Sequence, residues 1–361
     1  MKSIKLATLL LFVTNYLTTV ASPVNGESSG TDDGKRGSLL TERVVSTILK
    51  DNRVGVDPNR TIKVYLPPGY EESSGSYPVV YYLHSIFQNP EKLLEDGRLI
   101  SLLERGFESG ATREFILVVP DYSTSSTGTL YENSKSTGRW LDFTIDEVVP
   151  FVDSHFRTLP KAESRGLVGD MMGGRGVFQL GMRYPDIFSC IYAMNPVGTA
   201  LGLLPMPAYP DWRKIHQAKS FSELSNDHIS QIFITMSQAF LPNESRPPFY
   251  CNFLMEMVDG TPTLQPENAQ ILMDAFLVDH GIDNYQSNLH RLRGIAFDWA
   301  RYDPIQDHVY GSQALSRKLE SFGIAHEAEE YRGVAWEENW RDYGRFYTRV
   351  LPFLSRNLVF E

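Results

Sequence analysis

The stretch that most limits what this chain can fold into runs from Arg165 to Gly174 and reads RGLVGDMMGG. A short apolar run enters a turn carrying Gly169, Gly173 and Gly174, and residues 174–184 then keep a helical pattern closed by Pro185. A strand that passes directly into a helix through a glycine turn belongs to a parallel sheet, because parallel neighbours need a crossover long enough to hold a helix.

The rest of the chain repeats this alternation. Thr61–Leu66 alternates at period two and stops at Pro67, Pro68 and Gly69. Val79–Leu83 and Phe115–Val119 are continuous apolar runs, as expected of strands buried on both faces. Ile191–Met194, Gly294–Phe297 and Ala325–Tyr331 are further strand candidates. Apolar residues at 145, 148, 149, 151, 152 and 156 predict a helix over Thr144–Phe156; Val309–Phe322 and Tyr343–Leu358 predict two more, the last kinked at Pro352. Between 197 and 290 the rhythm weakens around Pro205, Pro207, Pro210, Pro242, Pro247 and Pro248, which predicts a lid-like insertion over one edge of the sheet. The fold class is α/β, with a mostly parallel central sheet and helices on both faces. A length of 361 residues with 42% apolar and 22% charged residues suits one packed domain of this kind.

The N-terminus carries a targeting pattern. Lys2 and Lys5 precede the apolar run Leu6–Val13, and Thr19, Val20 and Ala21 offer small residues for cleavage, so residues 1–21 are predicted to be a signal peptide. Export to an extracellular or periplasmic space follows. Residues 22–42 are polar and read as a disordered linker, which places the ordered domain at 43–361. A net charge of −10 and the absence of any block of basic residues argue against nucleic acid and anionic membrane as partners. An oxidising compartment permits a disulfide between Cys190 and Cys251, two buried free thiols being the other reading. Asn59 and Asn243 open glycosylation sequons, which matter if the source is eukaryotic. No histidine spacing suggests a metal, and no cofactor motif is present, so neither is expected.

Gly169 to Gly173 has the outline of a nucleophile elbow, G-x-S-x-G, in which the outer glycines allow a tight turn and the central residue is presented at its tip. The central residue here is Met171. Several blocks in order resemble the putative-esterase family of α/β hydrolases, which contains esterase D, feruloyl esterases and enterochelin esterases. They are YLPPGY at 65–70, YPVVYYLH at 77–84, GDMMGG at 169–174 where the family has G-H-S-M-G-G, RYPDIF at 183–188, Asp298 and Asp303 in the acid region, and EYRG at 330–333 before the family's histidine. The likeness spans residues 45–358 and implies an α/β-hydrolase fold.

It also implies a site in which two of three catalytic groups are missing. The family's serine falls on Met171, whose thioether has no proton to give up and forms no acyl-enzyme. Its histidine falls on Ala335, with Trp340 fixing the register, or on Val334 if the register slips by one; neither is a base. Asp303 keeps the acid position, with Asp298 as the fallback, but an acid without its histidine has nothing to orient. The loop that supplies the oxyanion site usually reads His-Gly and here reads His84-Ser85, while the backbone N–H of Met172 remains available. His84 is expected to hold the loop by hydrogen bonds, a base beside the pocket being the other reading. Asp170 is expected to point away from the pocket.

Three functions stay open. The first, favoured by the triad loss, is a non-hydrolytic pseudoenzyme that binds a small ester-like or aromatic ligand, or a partner. The second is an active carboxylic-ester hydrolase with displaced catalytic residues. The third is a non-hydrolytic cyclase, isomerase or lyase using the same pocket. Aromatics of the insertion, such as Tyr209, Trp212, Phe221, Phe240, Phe249 and Tyr250, are candidates for lining it, with the core as their commoner fate.

Overall fold

A computed structural model of the chain describes residues 36–124, 127–201 and 209–361. The expected signal peptide, most of the linker, and the start of the insertion at 202–208 lie outside the described residues.

The apolar runs form one eight-stranded sheet. Its strands are β1 (Ser38–Val45), β2 (Asn59–Leu66), β3 (Val79–Leu83), β4 (Ile116–Pro120), β5 (Arg165–Asp170), β6 (Cys190–Met194), β7 (Gly294–Ala300) and β8 (Glu327–Tyr331), in the spatial order β1-β2-β4-β3-β5-β6-β7-β8. β2 is antiparallel to β1 and β4, and from β4 through β8 every pair is parallel. The helices that return the chain are α1 (Arg98–Glu108), α2 (Val149–His155), α3 (Met172–Arg183), α4 (Trp212–Gln217), α5 (His228–Phe240), α6 (Pro266–Phe276), α7 (Val278–Leu289), α8 (Gln306–Ser321) and α9 (Leu351–Asn357).

Strand periodicity sorts side chains onto two core layers. Val79, Tyr81, Leu83, Leu167, Ile191, Ile295 and Phe297 meet Val152 of α2, Phe178 of α3, Ile282 of α7 and Leu315 of α8 on one face. Val80, Tyr82, Val168, Tyr192 and Ala296 meet Leu102 of α1 and Phe353 of α9 on the other. Both faces are therefore covered, which is why the central runs are apolar at every position.

Two sequence boundaries are corrected. The ordered domain starts before residue 43, because Ser38–Thr41 pair with Lys63–Leu66 as the first half of β1. β1 is an edge strand with polar, exposed positions, so its composition resembles a linker while its alternation is that of a strand. The insertion also ends before residue 290. Val278, Ile282 and Leu289 of α7 belong to the main core beside α3, so α7 is a sheet-covering helix. Within the insertion α4, α5 and a hairpin of Met255–Val258 and Thr261–Leu264 carry their own small core around Trp212, Ile215, Leu224 and Phe253. The helix predicted over 144–156 begins as a wide π turn, Phe143–Val148, and becomes α2; the one predicted over 343–358 does the same at Phe346–Val350 before α9.

Cys190 and Cys251 are both free and buried. One lies in β6 against α9 and the other in the insertion's core, so no disulfide joins them, and burial pushes both thiols well above the ordinary range. Asn59 is exposed at the start of β2, whereas the Asn243 side-chain amide donates to Asn252 Oδ1 at 2.8 Å.

The turn between β5 and α3 locks the sheet to its helix. A Cβ at Gly173 would collide with the carbonyl oxygen of Leu83 at the end of β3, and a Cβ at Gly169 would come within 2.6 Å of the Gly173 carbonyl oxygen. Both obstacles are backbone, which cannot swing aside. Gly173→Ala is expected to lower stability by about 3 kcal/mol or more, read as a fall in the denaturation midpoint at unchanged m-value.

Candidate functional site

Met171 sits at the tip of this turn with φ 51° and ψ −113°, a conformation that side chains other than glycine rarely adopt. Three backbone bonds hold it there. Its N–H donates to Met194 O at 3.0 Å, and its carbonyl oxygen accepts from Arg175 N at 3.2 Å and Val197 N at 3.3 Å. The chain after β8 comes to meet it: Met171 packs against Ala300, Tyr331 and Ala335 in one apolar cluster. Ala335 is buried in that cluster, while Val334 is not part of it.

The other side of Met171 is apolar as well. It joins Ile86, Leu130, Met172, Val197, Met236, Leu241 and Leu272, with Phe87, Phe240 and Phe276 packed around them. Phe240, from α5, and Phe276, from α6, bring the insertion over the turn. Arg175, wholly buried in α3, fastens it there: its guanidinium donates to Phe276 O at 2.7 Å, Ala275 O at 2.9 Å, Leu130 O at 2.7 Å and Glu132 Oε1 at 3.0 Å, between the rings of Phe240 and Phe276. Of the insertion aromatics singled out in the sequence, Phe240 reaches the site. Trp212, Phe221 and Phe249 fill the insertion's own core, and Tyr209 is exposed.

The loop after β3 is fixed by His84. Its Nε2 accepts from the Tyr122 N–H at 2.9 Å and its Nδ1 donates to Ser85 O at 2.9 Å, so both ring nitrogens are committed. Burial lowers its pKa, which keeps the ring neutral in this role. Ser85 has an ordinary negative φ, so the loop does not need the glycine that the resemblance implied.

The acid positions divide clearly. Asp298 lies on the α1/α9 side of the sheet, where Oδ2 accepts from Arg345 Nε and Tyr192 OH, both at 2.8 Å. It is fully committed there. Asp303 is buried at the C-terminal edge, with its N–H on Ala300 O, and its loop is laced to the strand leading to Ala335 by Arg301 N–H to Tyr331 O and Tyr302 N–H to Gly333 O. The expectation that Asp303 has no histidine is corrected. His308, in the first turn of α8, places Nδ1 3.0 Å from Asp303 Oδ2, while Ile305 N–H occupies Oδ1 at 2.8 Å. Five residues separate the pair, a spacing set by a loop-to-helix turn rather than by any motif, so it was invisible in the sequence.

Sequence reasoning also missed a polar bracket beneath Met171. Asn195, at φ 45°, accepts on Oδ1 from Ala300 N–H at 3.0 Å and Tyr331 OH at 2.9 Å, and its amide donates to Asn339 at 3.2 Å. It ties β6, β7, β8 and the loop bearing Ala335 into one unit. The Asn195-Pro196 step after an apolar strand was the available signal.

With this geometry in view, residues 55–248, more than half of the chain, match the family model described as Putative esterase. The chain belongs to this family. Among curated relatives of the family member, the uncharacterized protein YbbA of Bacillus subtilis is 26% identical over 160 residues, 41% of this chain and 59% of that one. An esterase of Mycobacterium tuberculosis is 28% identical over 136 residues, 36% of this chain and 28% of that one. The chain thus spans less than two thirds of the length of these relatives. A ferulic acid esterase superposes with TM-score 0.62 at 17% identity, covering 90% of this chain and 99% of that one. An S-formylglutathione hydrolase of Agrobacterium tumefaciens does so with TM-score 0.57 at 15% identity, over 91% and 98%. These likenesses establish the α/β-hydrolase fold. No helix among the described residues is long and apolar enough to cross a membrane.

Asp170, next to the tip, faces the opposite core layer. Oδ1 accepts from Tyr82 OH at 2.8 Å, Oδ2 is buried with no hydrogen-bond partner among the described residues, and burial pushes the carboxyl up to about 7. The folded protein therefore keeps a proton that the unfolded chain releases near its ordinary value of 3.8. Its contribution to stability is fully present below about pH 4 and declines as pH rises to about 7. Asp170→Asn is expected to remove that decline, measured as unfolding free energy at a series of pH values.

Proposed function

We propose that this esterase-family chain is an exported protein that binds an ester-like or aromatic small ligand and does not perform serine-type hydrolysis. One observation carries the reading: the side chain presented at the strained tip between β5 and α3 is a thioether, and it packs against the cluster that holds Ala335. A thioether supplies no nucleophilic proton-bearing group, and alanine supplies no base. His84 offers no substitute, since both of its ring nitrogens are engaged.

What the site retains favours binding. The strained turn, the N–H of Met172 at the start of α3, and the apolar ring of Ile86, Met172, Val197, Met236, Phe240 and Phe276 form a surface suited to an apolar body carrying one polar carbonyl. Solved relatives described as ferulic acid esterases support an aromatic acyl group as the first ligand class to try. The basic and apolar residues before Ala21 support export.

The test is labelling with a fluorophosphonate probe together with hydrolysis of p-nitrophenyl and feruloyl esters. Wild type and Met171→Ala are expected to remain unlabelled and to match the uncatalysed rate, while methyl ferulate raises the thermal midpoint of both. Labelling of the wild-type protein, or turnover that Met171→Ala removes, would overturn the reading.

A further inference from the structure

The site surrounding Met171 is apolar on nearly every side, so the few polar groups at its border decide which ligand it accepts. Among these, His308 stands out because its hydrogen-bonding sense is fixed. Its Nδ1 lies 3.0 Å from Asp303 Oδ2, and a neutral ring facing a carboxylate carries its proton on that nitrogen. The carboxylate cannot turn away. It is buried, and its second oxygen is held by the Ile305 N–H at 2.8 Å. In that neutral form Nε2 carries a lone pair, and it has no hydrogen-bond partner among the described residues; the side chain is 16% exposed.

Two contacts bring the segments that flank this ring to the site. Asp303 donates its N–H to the carbonyl oxygen of Ala300, and Ala300 packs against Met171 and Ala335. One turn further along α8, Gly311 lies against Thr199 and Ala200, so closely that a Cβ there would come within 2.8 Å of Thr199 Oγ1. That segment follows Val197, whose N–H binds the Met171 carbonyl. The stretch that carries His308 is thus anchored at one end to Ala300 and at the other to the segment after Val197.

We propose that the Asp303–His308 pair is a ligand-recognition site at the rim of the Met171 site, with Nε2 as a hydrogen-bond acceptor. The ligand it selects has an apolar body and carries an O–H or N–H donor at the end that reaches the rim. A ligand with an ether or a second carbonyl at that end meets a lone pair with a lone pair and loses its hydration without compensation. This rests on the binding reading above and adds the chemistry of the ligand's outer end.

The test compares 3-phenylpropan-1-ol with its methyl ether by calorimetric or NMR titration of the full chain. Wild type is expected to bind the alcohol about tenfold more tightly than the ether. His308→Leu is expected to abolish that preference, with the ether bound at least as tightly as by wild type, a result that a general loss of structure would not give. His308→Gln, whose amide oxygen can accept the same bond, is expected to keep the preference. Equal binding of alcohol and ether by wild type, or a preference that survives His308→Leu, overturns the recognition role and leaves the binding reading standing. Failure of both probes to bind overturns both. Hydrolysis of p-nitrophenyl acetate that His308→Leu removes would make the pair a base, overturning the recognition role.

Discussion

Everything near the candidate site depends on one close approach of backbone to backbone, where Gly173 lies under the carbonyl oxygen of Leu83. That contact lets β5 turn into α3 within two residues and forces the residue between them into a conformation with positive φ. The strain is held by the Met194, Arg175 and Val197 bonds to the Met171 backbone. None of these uses the Met171 side chain. The turn's conformation therefore does not depend on which side chain stands at its tip, and here that side chain is a methionine.

The surroundings show two chemistries on opposite sides of the sheet's C-terminal edge. Towards the insertion, Met171 meets methyl, thioether and phenyl groups, with the Arg175 guanidinium clamping α6 onto α3. Below, Asp170, Asp298, Tyr82, Tyr192 and Arg345 form a buried polar layer over α1 and α9. A carboxylate in that layer is costly unless paired. Burial pushes both carboxyls up; at Asp298 the Arg345 guanidinium and the Tyr192 hydroxyl oppose the rise, whereas at Asp170 only the Tyr82 hydroxyl and a backbone N–H do.

The family resemblance misled at one point and for a clear reason. It assigns the histidine partner of the acid to a loop after the last strand, and that loop here carries Ala335. The inference that Asp303 is unpartnered followed from motif order. A buried carboxylate finds a hydrogen-bond donor wherever the fold offers one, and the first turn of α8 offers His308.

Periodicity and breakers in the sequence determined the parallel core from β3 to β7, its two covered faces, and the glycine turn with methionine at its centre. These depend on local pattern: apolar runs, helical spacing, and a turn too tight for Cβ atoms. The sequence did not reveal β1, whose polar edge composition hides its pairing, or the place of α7 in the main core. It also did not reveal the pairing of Asp303 with His308, the Asn195 bracket, the Arg175 clamp or the separation of the two cysteines. Each of those is a contact between segments far apart in the chain or around a loop of irregular geometry, and such contacts are decided only when the sheet brings the ends of its strands together.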